Sequence, residues 1–273
     1  MSKRAVDLIR ASGYVAGYTT YIQLIQELIL DKKVIATGMM KEVERVEAAI
    51  SQAAAGETCA LVSGGDAGIY AMAGLVFELC REKGIKLIRH SMPLEEESAG
   101  SHQGYPGENA IEIEVVPGIP ALSAAASLLG APLTHDFAVI SLSDLLTPWD
   151  SIEKRLDAAA MADFVIAIYN PKSKKRDWQL TKAIDIILRH RSPATPVGIV
   201  TSAMREEESI MITTLGRMDN ADVGMQTIIL VGNSTSIHHL DFMFTPRGYS
   251  KKYDLKSQEK SQEKIEPIEY GIK

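Results

Sequence analysis

Apolar positions along this chain follow two alternating rhythms. Val43, Val46, Ile50 and Ala53 fall on one face of a helix predicted over 41–55. Gly56 follows it, the residue that a helix C-terminus prefers. Thr58-Cys59-Ala60-Leu61-Val62 then runs apolar without a break, as a buried strand of a parallel sheet does. The alternation extends in both directions. Helices are predicted over 3–12, 19–30 and 69–83, and strands over 14–18, 34–37, 85–89 and 111–116. Strand followed by helix, repeated, is the pattern of the α/β class. Residues 90–110 have no period and are rich in Gly, Ser, Glu and Pro, so a mobile surface excursion is expected there.

Pro117-Gly118-Ile119-Pro120 marks a boundary, and a second series begins beyond it. A helix of small residues covers 121–129. Strand 137–141, helix 151–161, strand 164–169, helix 177–190 and strands 196–201, 209–215 and 226–232 follow. The last strands are joined by short links, which predicts a partly antiparallel sheet. From 250 onward Lys and Glu alternate without an apolar face, as a solvated tail does. The pattern predicts two α/β domains, 1–118 and 119–249, and a charged tail, 250–273.

Composition narrows the partners. The 273 residues carry 29 Lys and Arg against 35 Asp and Glu, a net charge of −6, and 46% are hydrophobic. That apolar fraction excludes a disordered chain, and the acidic balance argues against a duplex nucleic-acid partner. No apolar run approaches the 18 or so residues a membrane span needs. The first residues lack the apolar stretch of a secretory signal. Cys59 and Cys80 read as buried free thiols of a reducing cytoplasm and are too few for a zinc site, so no metal is expected.

Three segments carry candidate chemistry. Ser63-Gly64-Gly65-Asp66-Ala67-Gly68-Ile69-Tyr70 follows a strand and is expected to open a helix. That is the carboxyl edge where open α/β sheets bind ligands. Paired glycines let backbone approach a ligand, and Asp66 either accepts from an amine or hydroxyl or caps the turn. The segment matches neither GxGxxG nor a Walker loop, which argues against a nicotinamide dehydrogenase and an NTPase. Val115-Val116-Pro117-Gly118-Ile119-Pro120-Ala121-Leu122-Ser123-Ala124-Ala125-Ala126 again runs from strand through turn to a small-residue helix, suited to a bulky neighbour or to close packing. Tyr169-Asn170-Pro171-Lys172-Ser173-Lys174-Lys175-Arg176 places four cations after a strand, either a solvated run or a site for a polycarboxylate. His238 and His239 are adjacent, so their side chains diverge and make a poor metal pair. His135 is a lone histidine at a strand entry.

Together with Val200-Thr201-Ser202-Ala203-Met204-Arg205, Ile212-Thr213-Thr214-Leu215-Gly216 and Ile229-Leu230-Val231-Gly232-Asn233-Ser234, these segments resemble the tetrapyrrole methyltransferases. The resemblance runs from about Lys3 to Tyr253. Within the family it is nearest the branch that methylates C-17 of precorrin-3 in cobalamin biosynthesis. It implies two α/β domains, usually in a cytoplasmic homodimer, with S-adenosyl-L-methionine in the cleft between them. It implies cofactor contacts at Gly64, Gly65, Asp66, Ile69, Tyr70, Ser123, Ala124, Asn170 and Gly198. It further implies that Lys172, Lys174, Lys175 and Arg176 hold the carboxylates of a precorrin or cobalt-precorrin ring, which is methylated and contracted. No acid or base is assigned; His135 and Tyr169 are the nearest candidates. The alternatives are another precorrin or uroporphyrinogen methyltransferase, or an inactive cofactor-binding module. Family members start with a strand and a GxGPG-type loop ahead of the helix that matches 3–12. Their absence predicts a gap or an exposed edge in the first sheet.

Overall fold

The computed structural model describes residues 1–90, 110–173, 176–220 and 223–255. Most of the expected excursion, 91–109, and the tail from 256 onward lie outside the described residues. The chain divides into two compact units, Met1–Ala124 and Ala125–Lys273. The division falls inside the helix that follows Pro120.

The first unit contains α1 (Lys3–Ala11), β1 (Tyr14–Tyr18), α2 (Thr19–Gln23), β2 (Lys33–Thr37), α3 (Glu42–Ala54), β3 (Cys59–Val62), α4 (Ala73–Glu82), β4 (Lys86–Arg89) and β5 (Ala110–Ile113). Ser2 caps α1 by accepting from the Ala5 amide at 3.3 Å, satisfying one of the orphan donors at a helix start. The helix predicted over 19–30 is instead α2 and a separate 3₁₀ turn, Gln26–Leu28. On α3, Val46, Ala49 and Ile50 are buried while Val43 is exposed, so the apolar stripe starts one turn later than its sequence suggests.

β1 is the middle strand of a parallel sheet ordered β2-β1-β3. β4 and β5 pair in parallel but form a sheet of their own. Leu61 of β3, Leu87 of β4 and Ile111 of β5 nevertheless pack on one cluster made by Val46 and Ile50 of α3 and Cys80 of α4. Thus β3 and β5 share a helix layer without sharing hydrogen bonds, and among the described strands β3 keeps one unpaired edge. Among the described strands the first unit thus has two separate parallel sheets.

The second unit takes up most of α5 (Ala121–Leu129) and continues through β6 (Gly130–Ala131), β7 (Phe137–Ser141), α6 (Trp149–Met161), β8 (Val165–Tyr169), α7 (Gln179–Leu188), β9 (Pro196–Thr201), β10 (Ser209–Thr214), β11 (Thr227–Val231), β12 (Ile237–His239), β13 (Phe242–Phe244) and α8 (Tyr249–Lys252). Its main sheet is ordered β10-β9-β11-β8-β7. β7 and β8 are parallel, whereas β11 runs antiparallel to both β8 and β9, and β10 antiparallel to β9. The mixed sheet is as predicted. The carboxyl ends of β7, β8 and β9 therefore share one edge with the start of β11.

Ile152 and Leu156 of α6 and Ile184, Ile186 and Ile187 of α7 bury one face of that sheet against Ile166, Ile168, Ile199 and Ile229. Each such side chain stabilises the unit by roughly 1.5–3 kcal/mol relative to exposure. His238 and His239 stand exposed on β12 of a small hairpin. Residue 250, where the charged tail was expected to start, lies in a one-turn helix, α8. No described helix is long and apolar enough to cross a membrane.

Both cysteines are free, Cys80 buried and Cys59 half-buried. Burial pushes the Cys59 thiol up to about 11, against a smaller opposing effect of a hydrogen bond with the Ala16 backbone. Only the thiolate attacks disulfides. At pH 8 the reaction of Cys59 with an aromatic disulfide should run about 10- to 100-fold slower than that of free cysteine and should accelerate up to about pH 11. A rate equal to free cysteine would contradict this environment.

Candidate functional site

In the first unit the candidate loop leaves the carboxyl end of β3. α4 begins at Ala73, not at 69 as the sequence suggested, because Tyr70 sits at φ 50 and cannot continue a right-handed helix. Gly64–Tyr70 is therefore a loop in its own right, and the idea that it opens a helix is corrected. Gly65 has φ 75, a conformation that glycine adopts without strain. Gly64 is small for a different reason: a Cβ there would lie 2.9 Å from the Tyr21 ring.

Asp66 anchors this loop. Its Oδ1 accepts from the Gly68 amide at 2.8 Å and its Oδ2 from the Gly118 amide at 2.9 Å. The turn at 117–120 lies directly against the loop, with the Gly65 carbonyl 2.0 Å from where a Cβ on Gly118 would be. Thus the two segments singled out separately in sequence, Gly64–Tyr70 and Pro117–Pro120, form one surface. Gly65, Gly68, Ile69 and Tyr70 are exposed on it. In the first turn of α5, Ser123 is exposed and Ala124 buried. The 114–117 stretch is also tied to α1: Arg4 forms a two-bond ion pair with Glu114, and the Ser2 hydroxyl donates to the Pro117 carbonyl at 3.2 Å. The Arg4 hydrogen bond holds the Glu114 carboxyl below its ordinary value.

In the second unit Asn170, Lys172 and Arg176 follow the carboxyl end of β8. Asn170, at φ 50, donates from Nδ2 to the Ser141 hydroxyl at 2.9 Å and so ties the loop after β8 to the end of β7. Arg176 is not a solvent-facing cation. It is 6% exposed and donates from Nη2 to the Asn170 carbonyl at 2.9 Å. Among the described residues its Nε has no partner, and neither does the Oε1 of buried Gln179, whose Nε2 donates to Asp144. Lys172 is exposed, while Lys174 and Lys175 lie outside the described residues. A cavity of about 420 Å³ opens at this edge, lined by Ile199, Thr201, Ser202, Met211, Met225 and Thr227 among others. Met225 Sδ lies 3.9 Å from Arg176 Nη2.

Gly198 is buried in β9, and a Cβ on it would come within 2.3 Å of Leu129 Cδ1. Its smallness makes room for Leu129. His135 and Tyr169, the nearest acid or base candidates, stand at opposite ends of the β7–β8 pair. Phe137 pairs with Val165 and Ser141 with Tyr169, so His135 precedes β7 at the amino end and Tyr169 closes β8 at the carboxyl end. The sequence reading also passed over Gly118, Ser141 and Gln179. Gly118 lay in a quoted motif, but its Pro/Gly composition pointed to a boundary rather than to a contact.

Residues 105–219 match the family model described as Tetrapyrrole (Corrin/Porphyrin) Methylases. A Salmonella typhimurium protein named "Probable cobalt-factor III C(17)-methyltransferase" is 46% identical over 92% of this chain and 94% of its own. The Priestia megaterium "Cobalt-factor III methyltransferase" is 48% identical over 95% of this chain, which spans only 44% of that relative. A Sinorhizobium "Precorrin-3B C(17)-methyltransferase" is 36% identical over 92% of each. Among solved structures, the methyltransferase CobJ superposes with a TM-score of 0.74 at 30% identity, covering 90% of this chain and 93% of that one.

Proposed function

Because this chain belongs to the tetrapyrrole (corrin/porphyrin) methylases, we propose that it methylates C-17 of a cobalt-containing precorrin-3-type ring, with ring contraction, using S-adenosyl-L-methionine. The observation that carries this reading is its identity to the Salmonella relative across nearly the whole of both chains. The cobalt-bearing ring is favoured over the metal-free one because relatives named for cobalt-factor III reach 46% and 48% identity, against 36% for the precorrin-3B relative.

The cofactor supplies an electrophilic methyl group. The exposed backbone of Gly65 and Gly68 and the exposed side chains of Ile69 and Tyr70 suit a ligand with one polar and one apolar arm. Gly64 and Asp66 shape that loop, and Ser123, Ala124, Asn170 and Gly198 complete the proposed set. An electron-rich ring carbon is its own nucleophile, so the protein needs no catalytic triad. The protein's task is to align the reacting groups and exclude water. A ring edged with carboxylates needs cations. Lys172, which is exposed, would meet them together with Lys174 and Lys175, and Arg176 from within, where a carboxylate would satisfy an Nε that has no partner among the described residues. The homodimer and the cytoplasmic setting rest on the family resemblance.

Incubation with isotopically labelled S-adenosyl-L-methionine tests the reading, with cobalt-factor III, precorrin-3B and uroporphyrinogen III as separate substrates. Mass and NMR regiochemistry should give one new methyl at C-17, with cobalt-factor III preferred about tenfold or more in kcat/KM. Methylation at another carbon would overturn the assignment.

A further inference from the structure

We infer that Asp66 and Gly118 form a clasp that sets the cofactor loop, and that Asp66 acts as a positioning residue through this clasp rather than as a ligand of the cofactor. The inference builds on the proposed cofactor site and gives one of its residues a different role. Each Asp66 oxygen accepts one backbone amide, Gly68 from within the loop and Gly118 from the facing turn, 52 residues away. A carboxylate accepting two amides is well satisfied and fixed in orientation. The turn must also come close. The space a Gly118 Cβ would need is taken by the Gly65 carbonyl at 2.0 Å and the Asp66 Cα at 3.2 Å, both backbone atoms that cannot swing aside. Any side chain at 118 must drive the turn off the loop and break the bond to Asp66. Loss of the carboxylate releases the same contact from the other side. The two changes therefore disturb one element.

A double-mutant cycle separates this role from direct ligation. Calorimetry with S-adenosylhomocysteine is carried out on the wild type, Asp66→Ala, Gly118→Ala and the double variant, with circular dichroism as the folding control. Each single change should weaken binding about tenfold or more, and the double should be no more than about twofold worse than the weaker single. Losses that multiply would mean that Asp66 touches the ligand itself, and the inference would fall. Asp66→Asn keeps one acceptor oxygen and should lie between wild type and Asp66→Ala. In turnover, Asp66→Ala should raise KM for S-adenosyl-L-methionine while kcat at saturation stays within about twofold.

Hydrogen exchange provides an arm that needs no ligand. The Gly68 and Gly118 amides should exchange slowly in the wild type and fast together in Asp66→Ala. If they stay slow in that variant, the clasp is wrong. If the wild type fails to bind S-adenosylhomocysteine, the proposed function fails, and the exchange result still decides the clasp.

Discussion

Asp163→Ala should destabilise the second unit by about 2–3 kcal/mol, somewhat less than the roughly 3–5 kcal/mol lost when a fully buried pair is broken. Asp163 sits between α6 and β8 at φ 61 and pairs with Arg191. The Arg191 side chain is only 4% exposed, and its Nη2 also donates to the Phe164 carbonyl at 3.0 Å. Removing the carboxylate leaves that cation buried without a countercharge. It also cuts two bonds from Ser234, one from the amide at 2.9 Å and one from the hydroxyl at 2.6 Å, and puts alanine in a left-handed conformation. The 41% exposure of the Asp163 side chain lets water offset part of the loss. Asp163→Asn tolerates the backbone and keeps an acceptor for Ser234, so it should lose about half as much. Both tryptophans, Trp149 and Trp178, lie in this unit and meet edge to face at 4.9 Å, so urea unfolding followed by their fluorescence reads the effect. Equal midpoints for wild type and Asp163→Ala would refute it.

The same pair predicts a pH dependence. Burial works against the Asp163 charge, but the Ser234 bonds and Arg191 outweigh it and hold the carboxyl below its ordinary value of 3.8. Burial lowers Arg191 as well, more than its partner raises it, yet a guanidinium remains charged wherever the protein is folded. A carboxyl depressed on folding contributes fully above its unfolded value and loses that contribution as pH falls through the folded one. Wild type should therefore lose stability below about pH 4 in a segment that Asp163→Asn lacks.

The strength of local pattern decided how much was legible in sequence. β1, β7 and β9 were delimited to the residue because each is an apolar run between turn signals. The start of α4 was misplaced because Ile69 and Tyr70 continue an apolar period, whereas the loop is set by a bond from Asp66 to Gly118 that no window of local sequence contains. β6, with two residues, and the β12–β13 hairpin, with three in each strand, are too short to show a period. The candidate residues were found as motifs, but their roles depend on long-range neighbours. Arg176 reads as one of four surface cations until its side chain is seen folded inward onto the Asn170 carbonyl.

Gly198→Ala carries that lesson into an experiment. Glycine at this position is open to two explanations, room for a ligand or room for a neighbour. Leu129, 0% exposed at the end of α5, fills the space with Cδ1 at 2.3 Å and Cδ2 at 2.6 Å from the Cβ position. Gly198 is also held in mid-strand, paired with Leu230 on one side and Ile212 on the other, so the backbone has little freedom to retreat. A methyl forced into this packing should cost about 1–3 kcal/mol. Leu129→Ala alone should cost about 2–5 kcal/mol by leaving a cavity. The double variant should lose clearly less than the sum, because the new methyl occupies part of the vacated space. Binding of S-adenosylhomocysteine then separates the explanations. If glycine serves Leu129, affinity in the double variant returns together with stability. If a cofactor needs bare backbone at 198, stability returns and affinity does not, and Gly198 keeps its place in the proposed cofactor set.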